Sequence, residues 1–276
     1  MKGTSWQDHI ALGRKILVDG GATFCVDLGQ GESVLMIHGW GASSFSFRKN
    51  YRELSKSFRA VAVDLPGFGL SEKLRGPLTL ISVVEHLYRF IEALGAETVS
   101  LVGHSMGGAV AVAFASIYPD KVRRLMLINP SLQVRGHGGR PFFTELVRSR
   151  AIAKLLTPFL LNKGFVRRAL VSAVWNKEIV DDEMVTGYYM SVKNSGTTLI
   201  EATGITDDFR VSLLYMVRAP ILFLLGEKDA WVPPDVNIEL AKKVGAEVVV
   251  AQETGHIVQE ERPELFNEAL VKFLSR

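Results

Sequence analysis

Residues 99–108 read Val-Ser-Leu-Val-Gly-His-Ser-Met-Gly-Gly, and this stretch decides the fold. A short, mostly apolar run ends at Gly103, and residues 109–118 form an almost wholly apolar segment of helical length. The residues from Gly103 to Gly107 match the pattern G-x-S-x-G, which lifts a serine out of a sheet on a tight strand-to-helix turn. Glycines are needed beside such a serine because side chains would clash in the strained turn. Ser105 is therefore the candidate nucleophile.

The rest of the chain repeats the alternation of strand and helix. Short runs rich in Val, Ile and Leu that end in turn residues are typical of strands buried on both faces. Such runs occur at 33–39, 60–67, 125–130, 221–229 and 246–256. The runs at 15–21 and 23–29 predict a hairpin. Amphipathic patterns at 80–94 and 265–274 predict helices, and the alternation indicates a doubly wound α/β fold with a mostly parallel sheet.

One region interrupts this alternation. Residues 131–217 contain no convincing strand, and helical patterns run through 142–156, 164–175, 178–192 and 198–216. We interpret 131–217 as a helical cap inserted into a core domain formed by 1–130 and 218–276. The first part of the cap is basic. Residues 131–177 carry nine Lys or Arg and a single acid, Glu145, which gives a net charge of +8.

Composition excludes several classes of protein. The 276 residues are 47% hydrophobic and 22% charged, which is ordinary for a globular protein and excludes disorder. A formal charge of +3 gives no reason to expect a nucleic-acid partner. Cys25 is the only cysteine, so a disulfide framework is excluded, and we expect it to pack inside a strand. No secretory signal or transmembrane run is visible in the sequence, which predicts a cytoplasmic protein.

A serine hydroxyl needs a base, and the base needs an acid that fixes its tautomer. His256 follows the last predicted strand and Asp229 ends the strand before it, giving the order Ser105, Asp229, His256. Glu227 is the nearest rival for the acid, while Asn129, at the end of the preceding strand, cannot act as a carboxylate. The remaining histidines are weaker candidates for the base: His9, His38, His86, His104 and His137. Of these, we expect His38 and His104 to orient the backbone of their glycine motifs.

The reaction also needs donors for a developing oxyanion. The backbone N–H of Met106, directly after the serine, is the first candidate. The second is the N–H of Trp40 in His38-Gly39-Trp40-Gly41, where the glycines allow the backbone to approach a substrate. No glycine-rich phosphate loop or metal-ligand spacing is present, so no cofactor is expected.

Together, five motifs resemble the α/β-hydrolase family across nearly the whole chain. They are HGWG at 38–41, DLPGFGLS at 64–71, GHSMGG at 103–108, GEKD at 226–229 and ETGHIVQEERPE at 253–264. The resemblance implies an eight-stranded sheet and a cap after strand six that supplies much of the substrate-binding surface. It also implies that Asp64 has a structural role in a turn. Haloalkane dehalogenases and most epoxide hydrolases of this family carry Asp at the nucleophile position, so Ser105 argues against both activities.

We therefore expect a carboxylic ester hydrolase for hydrophobic acyl or aryl groups of small to medium size. The alternatives are a C–C bond hydrolase of meta-cleavage products, an esterase for carrier-bound or glycerol esters, a perhydrolase or haloperoxidase, and a receptor without turnover. We expect the residues next to the serine and the histidine in the sequence motifs to bind substrate: Gly39, Trp40, His104, Trp231, Val232 and Ile257. Tyr188 and Tyr189 of the cap are further candidates for lining the pocket.

The basic cap predicts a docking surface for an anionic partner, either an acidic acyl carrier or an anionic membrane. Reversing Arg148 and Arg150 to Glu should weaken binding to carrier protein or anionic vesicles at low salt, because attraction between exposed charges is strongest there. Co-sedimentation with vesicles and titration with acyl carrier would measure this. Binding equal to that of the unmodified chain would remove the docking surface from consideration.

Overall fold

A single eight-stranded sheet organises the protein. The computed structural model describes residues 3–132 and 162–276. The strands are β1 (Gly13–Val18), β2 (Gly21–Leu28), β3 (Ser33–Ile37), β4 (Arg59–Val63), β5 (Val99–His104), β6 (Val122–Ile128), β7 (Ile221–Gly226) and β8 (Glu247–Ala251). Their order is β1-β2-β4-β3-β5-β6-β7-β8, in which β2 pairs antiparallel with both β1 and β4, and β3 to β8 are mutually parallel. The predicted hairpin and mostly parallel sheet are confirmed.

Helices cover both faces of the sheet. The described α-helices are α1 (Trp6–Leu12), α2 (Tyr51–Leu54), α3 (Leu80–Ala93), α4 (Met106–Ile117), α5 (Lys163–Ala173), α6 (Asp182–Ser195), α7 (Thr198–Glu201), α8 (Thr203–Asp208), α9 (Pro234–Lys243), α10 (Val258–Glu261) and α11 (Pro263–Leu274). Short 3-10 helices occupy Ser44–Phe47, Pro119–Lys121, Lys177–Ile179 and Val211–Met216.

Alternation along the central strands creates two apolar cores. In β3, Leu35 and Ile37 belong to the core that contains α3 and α4, whereas Val34 and Met36 belong to the core that contains α2 and α11. Successive side chains of a strand point to opposite faces, so one run of apolar residues supplies both layers. This is the doubly wound arrangement that the sequence predicts.

The structure differs from the sequence prediction at several places. Helices α1, α2, α9 and α10 are present although no helix is predicted there, and the predicted helix at 198–216 is divided into α7, α8 and a 3-10 turn. Gly204 and the Thr and Asp residues beside it lower the helix propensity of this stretch, which favours short helices over one continuous helix. Ile81 belongs to the predicted apolar face of α3 but is 51% exposed. The predicted helix at 142–156 lies outside the described residues.

All described elements between β6 and β7 are helical, from α5 to the 3-10 turn at Val211–Met216. This agrees with a cap at 131–217, and the division into two domains stays a prediction. None of the described helices is long and apolar enough to cross a membrane.

Helix α6 packs against the loops after β3 and β4 through small residues one turn apart. A Cβ at Gly187 would collide with the Phe45 ring. The Ser191 hydroxyl lies 2.7 Å from that of Ser43, and Ser195 Oγ accepts a hydrogen bond from Gly69 N at 3.3 Å. Larger side chains would force α6 away from these loops, so the three residues set how closely the helix approaches them.

Substituting Gly187 by Ala should destabilise the protein, although Ala normally stabilises a helix interior. The added methyl group would clash with Phe45 at a cost of about 1–3 kcal/mol. Gly204 of α8 is the matched control, because its Cβ position has open space and Gly204→Ala should gain about 0.5–1 kcal/mol. Urea unfolding measures both changes, and stabilisation by Gly187→Ala would contradict the tight docking of α6.

Candidate active site

Ser105 sits between β5 and α4 in a strained backbone conformation. Its φ of 53° and ψ of −117° lie in a region that residues with a side chain rarely adopt. Hydrogen bonds from Ser105 N to Ile128 O, at 3.0 Å, and from Ser131 N to Ser105 O, at 3.0 Å, tie it to the end of β6 and the residues just beyond. Its side chain is only half-buried and stays accessible.

The flanking glycines of the motif are required by space. A Cβ at Gly103 would lie 2.5 Å from the Gly107 carbonyl oxygen, and one at Gly107 would collide with the carbonyl oxygens of Ile37 and His38. Backbone therefore packs directly on backbone at the end of β5, which lets α4 begin immediately after Ser105.

His256 is paired with Asp229. The His256 Nδ1 donates to Asp229 Oδ2 at 2.7 Å, and both side chains are buried. The other carboxyl oxygen, Oδ1, accepts hydrogen bonds from the backbone N–H groups of Trp231, at 2.8 Å, and Val232, at 2.9 Å. This arrangement fixes the tautomer of His256 and leaves Nε2 available to take a proton.

The rival carboxylate, Glu227, is turned elsewhere. Its Oε2 accepts a hydrogen bond from Glu253 N at 3.1 Å. Of the two acids that the sequence offered for His256, Asp229 is the one in contact with it.

The loop that carries His256, residues 252–257 between β8 and α10, rests against the serine turn. His104 Nε2 donates to the His256 carbonyl oxygen at 2.9 Å, and the two imidazole rings lie 4.8 Å apart. Within the part of the chain that the structure describes, the Ser105 hydroxyl makes no hydrogen bond to the His256 ring. In many enzymes this contact tightens only once substrate is bound.

The loop after β3 approaches the serine from the other side. A Cβ at Gly39 would lie 3.1 Å from Ser105 Cβ, closer than side chains usually pack, so glycine favours this approach. Trp40 follows, and its Nε1 donates to Leu199 O in α7 at 2.8 Å, which places the indole between core and cap. Met106 is the first residue of α4, where a backbone N–H has no acceptor within the helix and favours negative charge.

Aromatic and aliphatic side chains surround His256. The Trp231 ring lies 5.2 Å from the His256 ring at an interplanar angle of 35°, and its Nε1 donates to Ser172 Oγ of α5 at 3.3 Å. Ile257 is buried in the same apolar cluster. Tyr188 is buried against Phe45, and Tyr189 is half-buried.

The described histidines other than His256 lie in structural environments. His38 bridges Gly39 O and Leu65 N, and burial lowers its pKa to about 4. Burial also lowers the pKa of His104 well below its usual range. His9 is wholly buried with a pKa lowered to about 3, and His86 lies 2.9 Å from the Thr23 hydroxyl. His137 lies outside the described residues.

Asp64 is fully buried and braces the loop that follows β3. Its carboxylate accepts hydrogen bonds from Ser44 N, at 2.7 Å, from Ser44 Oγ, at 2.5 Å, and from Leu70 N, at 2.8 Å. Burial raises its pKa to about 6, against the lowering effect of these bonds. These contacts agree with the structural role predicted for it.

With the fold and the site described, comparison with known proteins identifies the family. A family model described as the α/β hydrolase fold matches residues 32–263. The chain belongs to the α/β hydrolases.

Relatives of this α/β hydrolase include a hydrolase of unassigned substrate and hydrolases named for their substrates. An uncharacterized hydrolase of Bacillus subtilis, YugF, is 30% identical over 88% of this chain and 90% of its own length. The 2-hydroxymuconate semialdehyde hydrolase of Pseudomonas putida is 30% identical over 98% of this chain and 96% of its own. A crystal structure of a meta-cleavage product hydrolase, CumD, superposes with a TM-score of 0.80 at 25% identity, covering 96% of this chain and 99% of that one.

Two residues to which the sequence analysis assigned no supporting role hold the His256 loop. Asn129 Nδ2 donates to the carbonyl oxygens of Gly255, at 3.1 Å, and His256, at 2.9 Å, while its Oδ1 accepts from Gly226 N at 2.9 Å. Glu261 accepts a hydrogen bond from Gly255 N at 2.7 Å. The polar end of an apolar strand was the available signal for Asn129, and the motif at 253–264 was the available signal for Glu261.

Replacing Asn129 by Asp should impair this α/β hydrolase, because the two carbonyl groups lose their donor and face a buried charge. We expect a loss of about 1–3 kcal/mol in the free energy of unfolding. We also expect at least a tenfold fall in kcat, because the His256 loop shifts. Steady-state kinetics and urea unfolding would measure both.

Asn237→Asp is the matched control for this substitution. Asn237 is buried and its Nδ2 donates to Pro130 O at 3.1 Å, so the variant loses a comparable bond without touching the His256 loop. An equal loss of kcat in the two variants would show that Asn129 acts only on stability.

Proposed function

We propose that this α/β hydrolase cleaves carboxylic esters through an acyl-enzyme formed on Ser105. The observation that carries the proposal is the buried His256–Asp229 pair beside a strained, accessible serine. The two meet where His104, the residue before Ser105, donates a hydrogen bond to the His256 carbonyl oxygen. A serine, a histidine with its outer nitrogen available and a buried carboxylate are the three groups that nucleophilic acyl transfer requires.

In the proposed mechanism, His256 Nε2 takes the Ser105 proton as the oxygen attacks the carbonyl carbon. Asp229 stabilises the imidazolium that forms, and its own position is held by the amides of Trp231 and Val232. The backbone N–H groups of Trp40 and Met106 bind the oxyanion, a contribution of about 2.7–4 kcal/mol per donor. His256 then protonates the leaving alcohol and activates the water that releases the acid.

The groups around the serine favour a hydrophobic acyl or aryl group. Trp40 and Trp231 are partly buried aromatic side chains packed against apolar clusters, Ile257 is buried in one of these clusters, and burial lowers the pKa of His104 well below its usual range. Pockets lined mainly by such side chains bind apolar ligand groups and leave orientation to a few polar atoms.

C–C bond hydrolysis is the second candidate, and the 30% identity to the Pseudomonas putida 2-hydroxymuconate semialdehyde hydrolase over nearly the full length favours it. A carbanion leaving group is far more basic than an alkoxide, so the substrate must delocalise its charge. For a substrate that carries a carboxylate, a cation should bind that group. Four candidate arginines of the cap lie outside the described residues: Arg135, Arg140, Arg148 and Arg150.

Two substrate families decide between the candidates. The first is a series of p-nitrophenyl esters from acetate to palmitate, and the second is 2-hydroxymuconate semialdehyde with its 6-phenyl ketone analogue. We expect ester turnover that is lost by at least 1,000-fold in Ser105→Ala, because the nucleophile is removed. The best chain length would measure the depth of the pocket.

Controls separate chemistry from folding. Asp229→Asn and Glu227→Gln should differ, with a large loss of kcat only in the first, since only Asp229 contacts His256. Faster turnover of the dienoates than of every ester would replace the first candidate by the second. Equal activity of Ser105→Ala and the unmodified enzyme would exclude both.

A further inference from the structure

Glu261, the last residue of α10, uses its two carboxyl oxygens on different parts of the protein. Oε1 accepts the hydrogen bond from Gly255 N at 2.7 Å, directly before His256. Oε2 accepts hydrogen bonds from the backbone N–H groups of Trp175, at 2.6 Å, and Asn176, at 3.3 Å, both in the cap. The side chain is buried, so these bonds are shielded from competing water.

The same cap segment also touches His256 directly. His256 N donates to the carbonyl oxygen of Ala173, the last residue of α5, at 2.6 Å. A Cβ at Gly255 would collide with Ala173 O and lie 2.8 Å from Trp175 N, so backbone packs against backbone here. The end of α5 and the His256 loop therefore form one unit joined by Glu261.

We propose that Glu261 is a positioning residue that couples the cap segment 173–176 to His256. The segment and the loop move together, so the position of the cap sets the position of the imidazole relative to Ser105. The inference rests on the proposed function, because it assigns the consequence of this coupling to the proton transfer between Ser105 and His256.

A carboxylate is the group that this position requires. Three N–H donors converge on it, and two oxygens accept them all. Glutamine has the same shape, but its NH₂ group would face N–H donors on one side, so one of the two connections must break. Glu261→Gln thus tests the coupling without creating a cavity, and Glu261→Ala removes both connections.

Glu227→Gln is the matched control. Glu227 accepts a hydrogen bond from Glu253 N in the same loop, and its ion pair is with the neighbouring Lys228. Glutamine at 227 keeps a side-chain oxygen that can accept this hydrogen bond, so Glu227→Gln removes a charge near the loop and leaves the contact in place. We expect kcat for the best p-nitrophenyl ester to fall about 10- to 100-fold in both Glu261 variants, as for a displacement of about 1 Å, with KM changed less than threefold. Glu227→Gln should stay within threefold of the unmodified enzyme.

Amide hydrogen exchange provides a readout that does not depend on activity. We expect faster exchange at 173–176 and at 254–256 together in Glu261→Gln, and in neither segment in Glu227→Gln. The proton of the His256–Asp229 hydrogen bond, followed by NMR at low field, should broaden or shift only in the Glu261 variants. If Glu261→Ala does not fold, the isosteric Glu261→Gln carries the test.

The outcomes separate this inference from the proposed function. Activity that persists in Ser105→Ala contradicts the proposed function whatever the Glu261 variants do. Loss of activity in Ser105→Ala with kcat of both Glu261 variants within threefold of the unmodified enzyme overturns the coupling alone. So does an equal loss of kcat in Glu227→Gln, or faster exchange confined to one of the two segments.

Discussion

The backbone of Ser105 holds a conformation that residues with a side chain avoid, and the surrounding structure maintains it. A φ of 53° with a ψ of −117° costs about 1–3 kcal/mol relative to relaxed backbone. The strain is held by hydrogen bonds to the end of β6 and the residues just beyond, and by direct packing of Gly107 against the end of β3. Residues at the ends of three adjacent parallel strands, β3, β5 and β6, therefore maintain this conformation together.

His256 is positioned on a different physical basis. It lies on an irregular loop, so regular backbone hydrogen bonding cannot fix it, and side chains from distant elements bond to the loop backbone instead. His104 and Asn129 share its carbonyl oxygen, and Ala173 accepts its N–H. Ser105 is held by the end of β6 and by Ser131 just beyond it, whereas the His256 loop is bonded to Asn129, just after β6, and to Ala173 at the end of α5.

Most of the sheet was predictable because buried parallel strands leave a local trace, a short apolar run that ends in a turn. The glycines on either side of Ser105 were also recognisable from a short stretch of sequence, the pattern G-x-S-x-G. Long-range bonds leave no such trace, which is why Asn129 could be excluded as an acid but not recognised as a support for the His256 loop. The sequence favoured Asp229 over Glu227 because of its place after β7, and in the structure Asp229 contacts His256 while Glu227 accepts a hydrogen bond from Glu253 N.

The choice between ester and C–C hydrolysis depends on the leaving group more than on the serine. Both reactions can begin with attack by Ser105 on a carbonyl carbon, and both need the oxyanion to be held. An alkoxide requires only a proton, which His256 can return, whereas a carbanion needs a delocalised charge and a cation near the acid that bears it. Ala173 and Glu261 hold the segment 173–176 against the His256 loop, so the proposed base lies beside this segment whichever leaving group the enzyme takes.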